Sequence, residues 1–240
     1  MAKTRVAILY GGRSVEHGVS INSARNIAAN IDKVKFEPVL IGISKQGVWY
    51  LTTSVTKDIE QGKKLSLQLN PSDPAFLDES GNAYRVDLIF PVLHGTDGED
   101  GSIQGLLKAM ELPMAGTGVL GSSISINKLM AKQVLQQAGL PVGKFLHFYY
   151  ADKNKISFSE ISSALGLPLM VKSANLGSSV GVSKVKTESD FVIAVEEAFR
   201  YDDCVLFEAY IKGREIECSI LGNNPPKASL PAEIILNSKY

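Results

Sequence analysis

The stretch Pro168-Leu-Met-Val-Lys-Ser-Ala-Asn-Leu-Gly-Ser-Ser-Val-Gly-Val-Ser-Lys-Val185 decides how the second half of this 240-residue chain folds. An apolar run ends in a lysine, a loop of small residues follows, and a second run alternates between apolar and polar side chains. This pattern predicts a β-hairpin. Because the side chains of a strand alternate between its two faces, Met170 and Lys172 share one face. A thioether suits a purine ring and an ammonium suits phosphate oxygens, so this face of the hairpin would suit a nucleotide.

The tip of this hairpin, Gly177-Ser178-Ser179, is built of small residues. Its backbone N–H groups and two hydroxyls have no bulky side chain in front of them, and such a loop can wrap a polyphosphate. The same composition is typical of a solvent-exposed turn, and a lysine at a strand end is usually solvated. The hairpin alone leaves both interpretations open, and its neighbours must decide between them.

A strand predicted over Cys204 to Ile211 offers a second wall for the same ligand. Glu208 and Tyr210 share one face of it. The backbone N–H and C=O groups of Ala209 to Ile211 are then placed to hydrogen-bond the amino edge of a purine. Glu215 follows closely enough to accept hydrogen bonds from ribose hydroxyls. The position of these residues after the lysine and the small-residue tip favours the nucleotide interpretation.

Strands alternate with helices in the first half of the chain, at lengths typical of a parallel, doubly wound sheet. We predict strands over Arg5 to Tyr10, Phe36 to Ile43, Val48 to Leu51 and Val86 to Leu93, and helices that end near Ile31 and Met110. Residues 52 to 80 are polar and irregular, and no element is predicted there. The fold class is therefore α/β, with a Rossmann-like parallel-sheet domain at the amino terminus.

The second half mixes hairpins with helices and does not follow a strict βαβ order. The predicted elements are a short strand over Leu112 to Thr117, helices over Ser123 to Ala138, Ser157 to Leu165 and Ser189 to Tyr201, and strands over Phe145 to Tyr150, Glu215 to Leu221 and Ala228 to Ile235. A run of Gly and Ser from 116 to 123 separates the two halves. We place domain boundaries so that the units are residues 1–122, 123–208 and 209–240.

Composition and charge exclude several classes of protein. Hydrophobic residues make up 45% and charged residues 21% of the chain, which is ordinary for a globular protein. The 25 basic residues balance the 25 acidic ones, so the basic excess that nucleic-acid binding needs is missing. No window approaches the ~18 apolar residues of a membrane span, and the short apolar run after Arg5 predicts no signal peptide. We expect a cytoplasmic protein with neither nucleic-acid nor membrane partners.

Two glycine-containing loops follow predicted strands, at the sheet edge where α/β proteins bind ligands. Neither Gly11-Gly12 nor His94-Gly95 matches the dinucleotide fingerprint G-x-G-x-x-G, and the sequence contains no G-x-x-x-x-G-K-[ST]. Glu16 has two interpretations: a carboxylate that the dipole of its helix favours, or an anchor for the ammonium group of a small substrate. His94 likewise either caps a neighbouring group or touches a substrate carboxylate.

Three motifs in this chain resemble the signatures of one enzyme family. They are Gly11-Gly-Arg-Ser-Val-Glu-His-Gly-Val-Ser20, His94-Gly-Thr-Asp-Gly-Glu-Asp-Gly-Ser-Ile-Gln-Gly105 and Lys172-Ser-Ala-Asn-Leu-Gly-Ser-Ser-Val-Gly181. In this order they are similar to those of D-alanine–D-alanine ligases, which are ATP-grasp enzymes of peptidoglycan synthesis. The resemblance implies that two D-alanines are joined through an acyl phosphate, with ATP and Mg²⁺ or Mn²⁺. It also implies an amino-terminal substrate domain followed by the two lobes of an ATP-grasp domain.

The resemblance implies roles for individual residues as well. Glu16 holds the ammonium of the first D-alanine and Ser178 orients that substrate in a hydrogen-bonded network, so these two are the catalytic candidates. The implied substrate-binding residues are Glu16, Val19, His94, Ser178 and Ser179. The implied ATP-binding residues are Lys128, Met170, Lys172, Ser179, Glu208, Ala209, Tyr210, Ile211 and Glu215. Positioning and charge neutralisation carry phosphoryl transfer, so no protein nucleophile is expected.

The length of the chain departs from the family pattern. The family continues beyond this length, and the resemblance places the metal ligands there. We therefore expect no metal ligand up to Tyr240 and no catalytic competence in these 240 residues alone. The resemblance also suggests a homodimer, which no apolar pattern in the sequence shows.

Several alternative functions stay open at this point. Variants that use D-lactate or D-serine as the second substrate share the same early motifs. A non-catalytic module that binds ATP or an amino acid would keep the cleft without the chemistry. A dinucleotide-dependent oxidoreductase is suggested only by the first βαβ unit, and the absent G-x-G-x-x-G argues against it.

Overall fold

The computed structural model describes residues 2–177 and 180–235, and the first half of the chain folds around a seven-stranded sheet. Its strands are β1 (Thr4–Gly11), β2 (Phe36–Ile43), β3 (Trp49–Thr52), β4 (Lys63–Gln68), β5 (Ala75–Asp78), β6 (Ala83–Tyr84) and β7 (Leu88–Pro91). The helices of this half are α1 (His17–Asn30) and α2 (Ser102–Ala109), and a 3-10 turn covers Ile59–Gln61. The strand order is β6-β5-β4-β3-β2-β1-β7.

This first sheet is mixed rather than parallel throughout. Among the described strands, β1 pairs in parallel with β2 and β7, whereas β3 to β6 continue from β2 as an antiparallel meander. Residues 52 to 80, where no element was predicted, hold β4 and β5. The strand predicted over Leu112 to Thr117 is wrong, because this segment contributes only an isolated bridge between Met114 and Ile89. The α/β class is confirmed.

The strand β1 is buried on both faces, which explains its continuous run of apolar residues. Ile8 and Tyr10 pack in the cluster that includes residues of α1, and Leu9 packs in the cluster on the α2 side. Further along the sheet the Trp49 ring stacks on Phe76, with ring centroids 6.0 Å apart. These clusters hold the loops that follow β1 and β7 against one edge of the sheet.

A four-stranded antiparallel sheet, of order β10-β9-β11-β8, organises the second half. Its strands are β8 (Phe145–Tyr149), β9 (Leu169–Ser173), β10 (Val182–Val185) and β11 (Cys204–Ala209), and the helices around it are α3 (Val119–Ile126), α4 (Lys128–Gln137), α5 (Phe158–Leu165) and α6 (Glu188–Phe199). Two small hairpins follow, β12 (Glu215–Glu217) with β15 (Ala232–Ile234) and β13 (Ile220–Leu221) with β14 (Lys227–Ala228). No helix in the described ranges is long and apolar enough to cross a membrane.

The predicted hairpin is present as the antiparallel pair β9–β10, in which Lys172 lies opposite Val182. Leu169 and Val171 are fully buried in the cluster that packs against α5 and α6. Met170, on the opposite face, is half-buried. The alternation expected from the sequence is therefore confirmed, and the polar face of β9 points away from α5 and α6.

The single helix predicted over Ser123 to Ala138 is two helices. They meet at Asn127, whose backbone is extended, with φ −81° and ψ 102°. Its side-chain oxygen accepts a hydrogen bond of 2.9 Å from the backbone N–H of Met130. Asparagine is a favoured residue for starting a helix in this way, and this cap sets the start of α4 above the second sheet.

Candidate functional site

The helix α4 covers the polar face of the second sheet. Leu129 of α4 packs with Ala174 and with Leu206 of β11. Leu206 lies opposite Lys172 in the pairing of β11 with β9, so the two side chains share a face. Lys128 and Lys132, one helical turn apart on α4, are therefore brought to the same side of the sheet as Lys172.

Glu208 joins two of these lysines. One of its carboxylate oxygens accepts a hydrogen bond of 2.7 Å from Nζ of Lys172, and the other lies 3.2 Å from Nζ of Lys132. Glu208 is only 8% exposed. Burial by itself raises the pKa of this carboxyl, but the hydrogen bond and charge of Lys172, together with Lys132, bring the pKa below its ordinary value. Glu208 is thus a buried, ionised counter-charge.

Lys128 lies beside the tip of the β9–β10 hairpin. Its Nζ donates a hydrogen bond to the backbone oxygen of Leu176, and its backbone N–H donates to the oxygen of Ala174 at 2.9 Å. Burial, and then the charge of Lys172, lower the pKa of Lys128. Both effects show an ammonium that lacks solvation and has a like charge nearby, and an anionic ligand would relieve them. The chemistry of this cluster therefore fits the phosphates of ATP.

The purine wall predicted from the sequence consists of Met170 and the end of β11. Met170 lies opposite Glu208 where β9 pairs with β11, and opposite Lys184 where β9 pairs with β10. Nζ of Lys184 sits 3.7 Å from the centroid of the Tyr210 ring, which is a close cation–π contact. Ala209 is half-buried, while Tyr210 and Ile211 are exposed. Glu215 belongs to the separate β12–β15 hairpin and is also exposed.

Glu16 lies where the two halves of the chain meet. It precedes α1, and its side chain does not cap that helix. A Cβ atom at Gly95 would lie 2.5 Å from Oε2 of Glu16, and one at Gly177 would lie 3.4 Å from the same oxygen. The carboxylate is therefore placed between the loop that follows β7 and the tip of the β9–β10 hairpin. A larger side chain at Gly95 would displace this carboxylate, and the φ of +69° there would strain its backbone.

His94 belongs to the same loop and has a polar neighbour on each side of its ring. Its Nε2 lies 3.1 Å from the hydroxyl oxygen of Ser23 in α1, and its Nδ1 lies 3.8 Å from a carboxylate oxygen of Glu99. Val19, one turn after Glu16, is 52% exposed. The structure thus places Glu16 and Val19 at the start of α1 and His94 beside Ser23 of the same helix, and the predicted substrate-binding role of these residues stays a prediction.

Sequence reasoning missed an ion pair that ties the two loops of the first sheet together. The guanidinium of Arg13 donates to both carboxylate oxygens of Asp97, at 2.7 and 3.0 Å. The hydrogen bond and the charge of Asp97 raise the pKa of Arg13. Opposite charges in the loops that follow two neighbouring parallel strands are the signal that could have found this pair.

Lys132 and Lys184 were also missed. Lys132 stands four residues after Lys128, which places both on one face of a helix. Lys184 stands opposite Met170 once the hairpin register is known. The first could have been found from helical spacing, whereas the second needed the register.

Ser178 and Ser179 lie outside the described residues, so their roles stay predictions. Within residues 2–177 and 180–235, no group of three or more His, Cys, Asp and Glu side chains is arranged to hold a metal ion.

Comparisons with known proteins cover nearly the whole chain. The family model described as the D-ala D-ala ligase N-terminus matches residues 5–117, and the model of the D-ala D-ala ligase C-terminus matches residues 134–240. The D-alanine–D-alanine ligase of Shouchella clausii is 47% identical over 248 residues, which cover 98% of this chain and 67% of the relative. D-alanine–D-alanine ligase A of Escherichia coli K12 is 44% identical over 253 residues, covering 100% of this chain and 70% of the relative.

Solved structures agree with these relatives. The D-alanine-D-alanine ligase from Coxiella burnetii superposes with a TM-score of 0.90 at 38% identity, over 97% of this chain and 71% of that one. The VanG D-Ala:D-Ser ligase from Enterococcus faecalis gives a TM-score of 0.89 at 32% identity, over 99% and 71% of the two chains. With two family models in the expected order, relatives of high identity and the same fold, the chain belongs to the D-alanine–D-alanine ligase family, whose fold is the ATP-grasp fold.

Proposed function

We propose that this protein joins two D-alanines into D-alanyl-D-alanine, with hydrolysis of ATP and through an acyl phosphate, for peptidoglycan synthesis. One observation carries the proposal. The ammonium of Lys128 bonds the backbone oxygen of Leu176, and the next residue, Gly177, lies against the carboxylate of Glu16. A cation suited to phosphate and an anion suited to an amino-acid ammonium therefore contact two consecutive residues of the hairpin tip, Leu176 and Gly177.

The carboxylate of Glu16 pairs with the ammonium of the first D-alanine in this proposal, with Val19 and His94 beside it. The carboxylate oxygen of that first D-alanine is then aimed at the terminal phosphate of ATP, which it attacks as the nucleophile, and ADP leaves. The second D-alanine, as the neutral amine, attacks the carbonyl of the acyl phosphate, and inorganic phosphate leaves from the tetrahedral intermediate. Ser178 and Ser179, which follow Gly177 in the sequence, are proposed to complete the contacts to substrate and phosphate. This chain contributes position rather than covalent chemistry.

The nucleotide is held in the proposal by two sets of residues. Lys128 and Lys172 neutralise charge on the phosphates, because both ammonium groups reach the polar face of the second sheet. The proposed base and ribose contacts are Met170, Glu208, Ala209, Tyr210, Ile211 and Glu215. Compact ammonium groups beside a partly buried apolar wall are what a purine nucleotide needs.

Mg²⁺ or Mn²⁺ is the metal that we propose for phosphate activation, and no described residue is assigned to it. The homodimer and the cytoplasmic location also stay proposals, as does the division of the chain at residues 122 and 208. The likeness to a D-Ala:D-Ser ligase keeps D-serine as a second candidate for the amine-donating substrate. Product analysis with D-alanine, D-serine and D-lactate as competing second substrates distinguishes these activities.

Calorimetric titration of this chain with ATP and Mg²⁺, followed by measurement of phosphate release from a protein that also carries the metal ligands expected beyond Tyr240, tests the proposed function. Saturable ATP binding, with phosphate release that depends on D-alanine, supports it. ATP binding without D-alanine-dependent release favours the non-catalytic module instead. A chain that does not bind ATP overturns the proposal, and binding of NAD in its place would support the oxidoreductase.

A further inference from the structure

We propose that Lys132 is a positioning residue that leaves Lys172 available to the nucleotide phosphates by sharing the carboxylate of Glu208. This inference rests on the proposed function, in which Lys172 contacts phosphate. It assigns Lys132 an indirect role, because the lysine acts through Glu208.

The geometry gives each oxygen of Glu208 its own ammonium. Lys172 bonds one oxygen at 2.7 Å and Lys132 faces the other at 3.2 Å. All three side chains are largely buried: counting side-chain atoms alone, the exposed fractions are 11% for Glu208, 18% for Lys132 and 25% for Lys172. Nζ of Lys132 also lies 5.3 Å from the centroid of the Phe145 ring. The ammonium of Lys132 is therefore held from two sides at its place on α4.

Competition for Lys172 follows from this arrangement. A buried carboxylate attracts an adjacent ammonium more strongly than an exposed one does, because solvent screens the pair less. Two ammonium groups, those of Lys132 and Lys172, pair with Glu208. If Lys132 were absent, Lys172 would be the one of these two that remains to neutralise the carboxylate. The phosphates would then have to draw Lys172 away from a buried charge. With Lys132 in place, Glu208 stays neutralised when Lys172 turns toward phosphate.

Two other roles for Lys132 predict different results. If the Lys132 ammonium contacted phosphate directly, Lys132→Met would weaken ATP binding whether or not Glu208 is charged. A residue that only supports the end of β11 would affect adenosine as much as ATP. The proposed role requires a loss that depends on both the phosphates and the charge of Glu208.

A double-mutant cycle with Lys132→Met and Glu208→Gln tests the inference. The dissociation constants of ATP and adenosine are measured by calorimetry for the wild-type chain, both single variants and the double variant. We expect Lys132→Met to weaken ATP binding by about tenfold, a coupling of ordinary size for residues in direct contact. Adenosine binding should stay unchanged. In the Glu208→Gln background, the same substitution should change ATP affinity less than about twofold.

Equal losses of ATP affinity in the two backgrounds, or an equal loss for adenosine, would overturn the inference. Lys132→Arg, which keeps the charge, should retain most of the affinity. Lys155→Met removes an exposed lysine that pairs with Asp152, and should bind ATP like the wild type. Thermal unfolding of every variant shows whether it is folded, and Lys132→Gln replaces the methionine variant if that one is not. Failure of the wild-type chain to bind ATP would instead refute the proposed function.

Discussion

Glu16 presents its carboxylate to two glycines from different halves of the chain, Gly95 and Gly177. A carboxylate at a junction of this kind can select for a small cation only if the surrounding backbone comes close, and glycine permits that approach. The residue therefore matters through charge as well as through position, and the two can be separated by substitution.

Glu16→Gln removes the charge and keeps the shape of the side chain. We expect D-alanine binding to weaken by on the order of 1.5–3 kcal/mol, the range for hydrogen bonds to charged groups, while ATP affinity stays unchanged. Titration with each ligand separately measures both. Glu37→Gln is a suitable control, because Glu37 is exposed and lies 3.8 Å from Arg5 on the first sheet. If Glu16→Gln instead unfolds the protein, the carboxylate stabilises the fold rather than binding the substrate.

Lys172→Ala should weaken ATP binding on the order of 1.5–3 kcal/mol, because a charge-assisted contact to phosphate is lost. The substitution also leaves Glu208 with Lys132 as its close ammonium. Titration with ATP gives the affinity. Lys144→Ala serves as a control, since the Lys144 ammonium donates to the oxygen of Ala164 on the surface. An unchanged ATP affinity in Lys172→Ala would remove this lysine from the nucleotide site.

At the scale of the elements, apolar strands were predictable and polar ones were not. The runs that became β1, β9 and β11 are buried on at least one face, so their sequence pattern carries the structure. The strands β4 and β6 have exposed residues and depend on antiparallel pairing with neighbours, which no local pattern shows. The break between α3 and α4 was hidden because asparagine also occurs inside helices.

The candidate site was predictable where the chain itself brings residues together. The hairpin placed Met170 and Lys172 on one face from alternation alone. Lys132 escaped because its partner, Glu208, is 76 positions away in sequence and meets it only after α4 docks on the sheet. The same holds for Arg13 and Asp97, which pair between two loops of the first sheet.

Asp78 accepts hydrogen bonds that stabilise the turn between β5 and β6, so the stability of the fold should depend on the ionisation of this carboxyl. Asp78 accepts hydrogen bonds from Asn82, from the Tyr84 hydroxyl at 2.9 Å and from the backbone of Ser80 at 3.0 Å. Hydrogen bonds from Asn82, against the opposing effect of burial, lower the pKa of Asp78 from 3.8 to about 2.

A carboxyl with a lowered pKa in the folded state stabilises the fold above its unfolded pKa, and this contribution disappears as the pH falls toward about 2. We expect Asp78→Asn to lower the free energy of unfolding at neutral pH, and the difference from the wild type to shrink as the pH falls from 4 to 2. Urea unfolding at several pH values measures it. A difference that is independent of pH would assign the effect to lost packing rather than to ionisation.

At the scale of the whole molecule, burial ends with β11. Every residue from 210 to 235 is exposed, and the strands β12 to β15 are two or three residues long. Backbone hydrogen bonds without apolar cover open easily. We expect the amides of these four strands to exchange with deuterium much faster than those of β9 and β11, as measured by mass spectrometry of the native chain. Equal protection would mean that another surface covers this region.

The stacking of Trp49 on Phe76 has a practical consequence, because the chain contains one tryptophan. Its emission spectrum is an optical probe of the first sheet alone, whereas far-ultraviolet dichroism averages over both sheets. Melting curves that superimpose by the two methods would show a single cooperative transition. If a nucleotide that binds on the second sheet raises the melting midpoint measured by tryptophan emission, the two halves unfold cooperatively. No label has to be attached for this measurement.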